Sequence, residues 1–395
     1  MSLFFLLTAT VVSVVAATIY TPSLPGIARD LDASATVAQW SVTVFAATFG
    51  LVQVWHGPAS DRIGRWRVLH VSLWLFLLGT IVSGAAPSIG VLLLGRVLQG
   101  LGAAGLTVVP RAIASDSFVE PKRGRVFVYL SMATAVGATS APLIGGWLDA
   151  WTGTWRTSFA VLALLLLVVL VLAVRRSPDM AGGRRDRPPG WRGAMADYRS
   201  LLQRRPILYT VLTGAFMRAG YFGFLTLTPF VLADAFALEV GAVGTAMMTL
   251  TAAFLVANTV VVRLTNRIAG HDLIVGGTIF ALTAPLTMAI AAYSGATLFV
   301  GLILPLALYG FGQGIAMPIA NATAVNADPR MAGAGASLLG FVGYLMGALG
   351  TFVAGLLAHD TAIPLAGFLA VTTMLALTFA CCAQRAQDPI EEVGR

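Results

Sequence analysis

The chain alternates between long, unbroken apolar runs and short polar segments. Twelve such runs stand out, at about 3–25, 38–58, 68–86, 89–112, 125–148, 156–174, 207–232, 241–262, 272–292, 297–320, 332–357 and 362–383. Each is near the ~20 residues that a helix needs to cross the hydrocarbon of a bilayer. The runs are continuous rather than alternating, which excludes the dyad pattern of a membrane β-barrel. Continuous helices also pair every backbone group internally, as lipid requires. The pattern therefore predicts an all-α polytopic membrane protein with twelve transmembrane helices.

One long polar segment, 175–206, divides the runs six and six. The predicted organisation is a six-helix bundle over 1–174, a cytoplasmic linker over 175–206, a second six-helix bundle over 207–383 and a cytoplasmic tail over 384–395. The first half of the linker is Gly, Pro and Arg. From Trp191 to Arg205 the spacing predicts an amphipathic helix with Trp191, Met195, Tyr198 and Leu202 on one side. Such a helix would lie on the inner leaflet with its arginines toward anionic lipid. The two halves echo each other. Asp61-Arg62-Ile63-Gly64 matches Asn266-Arg267-Ile268-Ala269-Gly270, and Arg96 to Gly100 matches Gly310 to Gly314. Pro22 matches Pro229, and Gly145 is paired with Gly355. Offsets of 205, 214, 207 and 210 make six spans repeat as six spans. Repeats of this kind place a substrate site between the halves, near the bilayer midplane.

Composition agrees. The chain is 57% hydrophobic and 11% charged, with a mean hydropathy of +0.85, more apolar sequence than a soluble core absorbs. The net charge of +8 would suit nucleic acid, but its placement does not. With the N-terminus inside, 21 of the 25 Lys and Arg residues fall in cytoplasmic segments. Arg29 and Arg156 are outside, and Arg96 and Arg218 lie within spans. This is the positive-inside asymmetry. It predicts a multi-pass plasma-membrane protein with both termini cytoplasmic and no nucleic-acid partner. Cys381 and Cys382 are adjacent and make no useful cross-link. The first run has no basic leader, so a cleaved signal is not expected.

Four groups of residues carry candidate chemistry. Between spans 2 and 3 stands Gly57-Pro58-Ala59-Ser60-Asp61-Arg62-Ile63-Gly64-Arg65-Trp66-Arg67, read as an 11-residue charged loop. Gly57, Asp61, Arg62, Gly64, Arg65, Arg67 and Asp116 are its candidate gating residues, with Asp116 the expected acidic neighbour of Arg65. Span 4 carries Arg96 and Gln99. A buried arginine in a span is costly and faces the bundle interior or water. Arg218 lies about 12 residues into span 7, ~18 Å deep, with no carboxylate beside it in its own span. Tyr20, Gln53, Tyr221, Asn258, Tyr309, Gln313 and Asn321 complete the candidate substrate-binding set, because aromatic walls with a few amides suit drug-like ligands. In span 5, Gly137, Pro142, Gly145 and Gly146 form a small-residue face with a helix-bending proline. No metal cluster, nucleophile–base arrangement or soluble catalytic insertion is present in the sequence. An enzyme is therefore not expected, nor a cofactor.

The loop pattern Gly-x-x-x-Asp-Arg-x-Gly-Arg-x-Arg resembles the loop between helices 2 and 3 of the major facilitator superfamily. The run Leu94 to Ala104 resembles that family's span-4 motif, whose arginine lies near the cavity and is linked to proton transfer in drug antiporters. Gly137 to Gly146 resembles its antiporter motif, with Ala141 and Val128 at two positions where the family has glycine. With Ile19-Tyr20-Thr21-Pro22 and Arg111 to Asp116, the chain resembles the bicyclomycin/chloramphenicol-resistance branch of drug:proton antiporters. That branch commonly has an acid where Thr18 stands, and no Asp or Glu falls in the interior of any span. The resemblance implies a secondary active transporter, monomeric in the lipid bilayer. It would export a small organic molecule such as a drug or antibiotic by alternating access, with protons as coupling partner. The alternative is an organic-anion importer or exchanger using Arg96 and Arg218. A polytopic membrane enzyme or sensor is the remote one.

Overall fold

A computed structural model describes residues 3–119, 122–176, 191–265, 267–294, 297–326 and 332–392. Among them, twelve helical segments are long and apolar enough to cross a membrane, and they coincide with the twelve runs. Span 1 is broken. Helix α1 (Leu3–Thr18) ends, a short 3-10 turn covers Thr21–Ser23, and α2 (Leu24–Asp30) follows. Pro22 and Pro25 lack the N–H groups that would carry one helix through, and each sits in the first turn of the next element.

Helix α3 (Ala35–Ile63) starts at Ser34, whose side chain accepts a hydrogen bond from the Val37 N–H. It does not stop at Gly57-Pro58 but runs through Pro58 to Ile63, and α4 (Arg65–Gly84) begins two residues later. The 11-residue loop read from the sequence is thus a single residue, Gly64, with φ 109° and ψ 138°. Gly57-Pro58 looks like a turn in sequence, but the hydrogen bond lost and the ring clash at one proline bend a helix without having to end it. The reversal falls instead where a positive φ is required, and glycine supplies it without steric cost.

The remaining helices are α5 (Ile89–Ser117), α6 (Lys122–Thr152), α7 (Arg156–Arg176), α8 (Trp191–Gln203), α9 (Arg205–Asp234), α10 (Val240–Leu264), α11 (Gly270–Tyr293), α12 (Leu304–Asn326, led in by a π-helical turn at Phe299–Ile303), α13 (Ala332–Ala354) and α14 (Ile363–Glu392). The chain divides into two compact units. The first holds Met1–Gly190 with Glu239–Thr245, and the second Trp191–Leu238 with Ala246–Arg395.

In the first unit α4 packs on α5 and α7, α5 on α3, and α1 on α5, α6 and α7. In the second, α11 packs on α12 and α14, and α9 on α12, α13 and α14. The pairings correspond one to one, and the contact of α3 with α5 at Gly100 is matched by that of α10 with α12, where Gly310 and Gly314 lie on the carbonyls of Leu250 and Phe254, so the repeat is present in the packing. The tight crossings repeat too. A Cβ on Gly79 would meet the Gly95 carbonyl oxygen at 2.7 Å, and one on Gly277 the Gly312 carbonyl oxygen at 2.9 Å. A Cβ on Gly145 would fall on the carbonyl of Ile19, and one on Gly350 on the carbonyl of Ala219. Glycine thus lets α6 cross span 1 and α13 cross α9 at backbone contact, and Gly355 stands at the end of α13, its N–H donating to the Thr351 carbonyl at 2.9 Å.

Two boundaries differ from the sequence reading. Helix α8 belongs to the second unit rather than to a linker. Leu201 is buried there with Ile207, Val211, Ala324 and Leu338, and Tyr198 and Leu202 pack beside it. Only part of the apolar face is left over, with Met195 at 53% exposure. Helix α14 continues past residue 383 to Glu392, through the stretch read as a tail. The linker residues 177–190 lie outside the described residues.

Candidate functional site

The first unit is built around Arg96. Its side chain is completely buried. Nε donates to the Ser41 carbonyl at 3.1 Å, and one terminal nitrogen donates to the Ala16 carbonyl at 2.9 Å and to Gln99 Oε1 at 2.6 Å. The guanidinium carbon lies 4.4 Å from the Tyr20 ring centre and 4.2 Å from that of Phe45. Two relays extend outward. The Tyr20 hydroxyl bonds Ser41 Oγ at 2.9 Å, and Ser41 Oγ donates to the Ala38 carbonyl. Gln99 Nε2 donates to Thr80 Oγ1 at 2.8 Å, which donates to the Phe76 carbonyl. Ala16 is in the last turn of α1, where carbonyls have no partner in their own helix and the dipole favours a cation. Arg96 therefore holds the break in span 1, and its second terminal nitrogen has no hydrogen-bond partner among the described residues.

At the far end of α3, Arg65 gathers three groups. It meets Asp61 at 2.5 Å, donates to Ser60 Oγ at 2.6 Å and meets Asp116 at 3.0 Å. The expected pairing of Arg65 with Asp116 is present, and it ties the start of α4 to the ends of α3 and α5. Asp61, in the last turn of α3, meets Arg65, the first residue of α4, across the reversal at Gly64. Arg62 and Arg67 are exposed, and Gly57 is half-buried. Close by, His56 Nδ1 donates to the Val52 carbonyl at 2.9 Å, and its Nε2 lies 3.3 Å from Ser72 Oγ. That is the environment of a structural histidine.

Helix α6 presents its glycines to two neighbours. Gly137 faces Val11, and Gly145 faces Ile19, both on the span-1 segment. A Cβ on Gly146 would come 3.0 Å from the Gly244 Cα, in the part of α10 that groups with the first unit. Pro142 lies inside the same helix.

In the second unit α9 is the central helix. Gln313 Nε2 donates to the Met217 carbonyl at 2.9 Å, and the Tyr309 hydroxyl fills the space left by the missing side chain of Gly220. Arg218 reaches α13, with its Cζ 5.3 Å from the Tyr344 ring centre. Tyr221 stands 5.9 Å from Phe222, which meets Tyr344 edge-on at 5.7 Å. Gln53 is buried, and its carbonyl oxygen has no partner among the described residues. Asn258 and Asn321 are half-buried and join neither network. The structure thus gathers Tyr20, Arg96 and Gln99 in one cluster, and Met217, Tyr309 and Gln313 in another. Arg218 and Tyr221 stand in a third. Ser41, Thr80, Gly343 and Tyr344 were missed by sequence reasoning. Ser and Thr are common span filler, and a Gly-Tyr pair gives no hint of the helix it faces.

The fold is that of a known family. The model of the Major Facilitator Superfamily matches residues 6–351. The chain belongs to the major facilitator superfamily. It is 28% identical over 340 residues to a protein of Escherichia coli named Multidrug resistance protein D, covering 82% of this chain and 81% of that one. A Bicyclomycin resistance protein homolog of Haemophilus influenzae is 25% identical over 373 residues, covering 91% of each. The likeness to the drug:proton antiporter branch therefore extends over nearly the whole chain. A solved bacterial homologue of the human lysosomal transporter Spinster superposes with a TM-score of 0.76 over 98% of this chain and 96% of that one. At 18% identity it shows the fold alone. As a member of the major facilitator superfamily, the chain is a multi-pass membrane transporter of small molecules and not an enzyme.

Proposed function

We propose that the chain exports a small organic molecule of the drug or antibiotic class by alternating access, driven by proton exchange. It acts as a monomer in the plasma membrane with both termini cytoplasmic. The observation that carries this reading is the face of α6. Gly145 there lies directly on the carbonyl of Ile19, one residue beyond α1, in the motif that resembles the exporters' one. The resistance names of the two relatives point the same way. Within the reading, Asp61 and Arg65 act as the inner gate, with Gly57, Arg62, Gly64, Arg67 and Asp116 shaping it. Arg218, Tyr221, Gln53, Asn258 and Asn321 face the substrate path, and the sealed Tyr20, Arg96, Gln99, Tyr309 and Gln313 hold its walls from behind. Coupling cannot use a carboxylate in the interior of a span, so the proton travels on a group at a span end or on the substrate itself.

The test is efflux from cells that express the protein and are preloaded with a panel of drugs. Energy-dependent loss of at least one drug, abolished by a proton uncoupler, is the expected result. Retention of every compound at proven surface expression, or uptake in place of loss, would reject export.

A further inference from the structure

Arg218 differs from Arg96 in every respect that matters for a ligand. Arg96 is sealed and already donates to three acceptors. Arg218 is only partly buried, and among the described residues no carboxylate or hydrogen-bond acceptor pairs with its guanidinium. It lies 13 residues into α9, roughly 20 Å along the helix and so near mid-membrane depth. A cation there needs a counter-charge or water. The Tyr344 ring at 5.3 Å offers a partial match, but a ring face does not replace the hydration of a cation.

The surroundings are shaped for a planar partner. A Cβ on Gly343 would come within 2.8 Å of Arg218 Nε and 3.0 Å of its Cδ, so only glycine leaves room for this side chain against α13. Phe222, one turn along α9, meets Tyr344 edge-on, and Gly347 makes similar room for the Phe222 ring. Tyr221 completes the wall. The result is a fixed guanidinium fork with five N–H donors beside three aromatic rings. Carboxylate matches that fork by two parallel hydrogen bonds, and an aromatic body matches the walls.

We propose that Arg218, seated on Gly343 and Tyr344, is the anion-binding end of the substrate site, and that the preferred substrate is an aromatic molecule carrying a carboxylate. The proposal rests on the reading of the chain as a drug-class transporter and names the chemistry of its cargo. Quaternary ammonium compounds are disfavoured, because they place a second cation against an unneutralised one.

The experiment measures equilibrium binding to the purified full-length protein in nanodiscs, with three probes on one ring system: naphthoate, naphthamide and naphthyl-trimethylammonium. Wild type should bind naphthoate about ten-fold or more tightly than naphthamide, and the ammonium probe most weakly. Arg218→Gln should weaken naphthoate by about 10- to 100-fold and leave naphthamide almost unchanged. Arg218→Lys should restore part of the loss, since charge returns without the fork. Gly343→Ala adds a methyl group where Arg218 Nε lies. It should weaken naphthoate several-fold with the melting profile kept, and it carries the test if Arg218→Gln does not fold. Equal binding of the three probes to wild type, or naphthoate binding that ignores both Arg218→Gln and Gly343→Ala, overturns the proposal. Failure of drug efflux with Arg218-dependent naphthoate binding intact rejects the export reading and supports the anion site. Efflux without such binding rejects the anion site alone.

Discussion

Lysine at position 96 separates two accounts of the buried arginine. If Arg96 matters only as a positive charge, Arg96→Lys should be nearly neutral. The structure says otherwise. Arg96 Nε bonds the Ser41 carbonyl on α3, while a terminal nitrogen bonds the Ala16 carbonyl on α1 and the Gln99 amide oxygen on its own helix. One ammonium nitrogen cannot reach acceptors on three helices. At least one charge-assisted bond is lost, and each contributes about 1.5–3 kcal/mol. The groups left behind are a last-turn carbonyl and a fully buried amide oxygen, neither of which finds water. The ammonium itself stays buried with fewer partners. We therefore expect Arg96→Lys to cost about 3 kcal/mol, and to be no more stable than Arg96→Met, which loses all three bonds but also removes the buried charge. The assay is heat-dependent loss of the monodisperse fraction in nanodiscs, compared across the three proteins. A lysine variant that melts like wild type while the methionine variant collapses would refute the fork-and-cap argument.

The remaining predictions concern packing and the inner cluster. Gly145→Ala forces a methyl group onto the backbone carbonyl of Ile19, which cannot rotate away, so α6 and α1 must separate. Overpacking of this kind costs about 1–3 kcal/mol, and a lowered melting midpoint with reduced efflux is the expected result. Asp61→Asn should depress efflux more than Asp116→Asn at matched expression. Asp61 is 16% exposed and meets Arg65 across the reversal at Gly64, whereas Asp116 is 51% exposed and worth less than about 1 kcal/mol to the fold. Equal rates for the two variants would remove Asp61 from the gate.

The twelve spans were legible because length and continuous apolarity are all that a bilayer asks of a helix. The repeat was legible too, because a glycine at a helix crossing leaves a trace in the sequence, whereas the carbonyl it lies on, such as that of Ala219 under Gly350, does not. The turn at Gly64 lies inside the stretch read as a loop, but that loop was read too long, since Gly57-Pro58 has the composition of a turn while α3 continues through it. Arg96 could be flagged from its position in a span. Its main partners could not, because two of the three are backbone carbonyls on other helices and carry no sequence signal. For the same reason the seat of Arg218 stayed hidden. Gly343 and Tyr344 lie well over a hundred residues downstream, and only the packing of α9 on α13 brings them together.

The most direct test of the central claim is proton-coupled transport by the purified protein. Proteoliposomes would be loaded with a drug identified by cellular efflux and with a pH-sensitive dye, and an inward or outward pH jump imposed. The account predicts drug movement against a matching proton flux. It further predicts that the flux persists when no intramembrane carboxylate exists to carry it, and that Asp61→Asn slows it. Drug movement that is indifferent to the pH jump and brings no change in dye signal would contradict proton exchange.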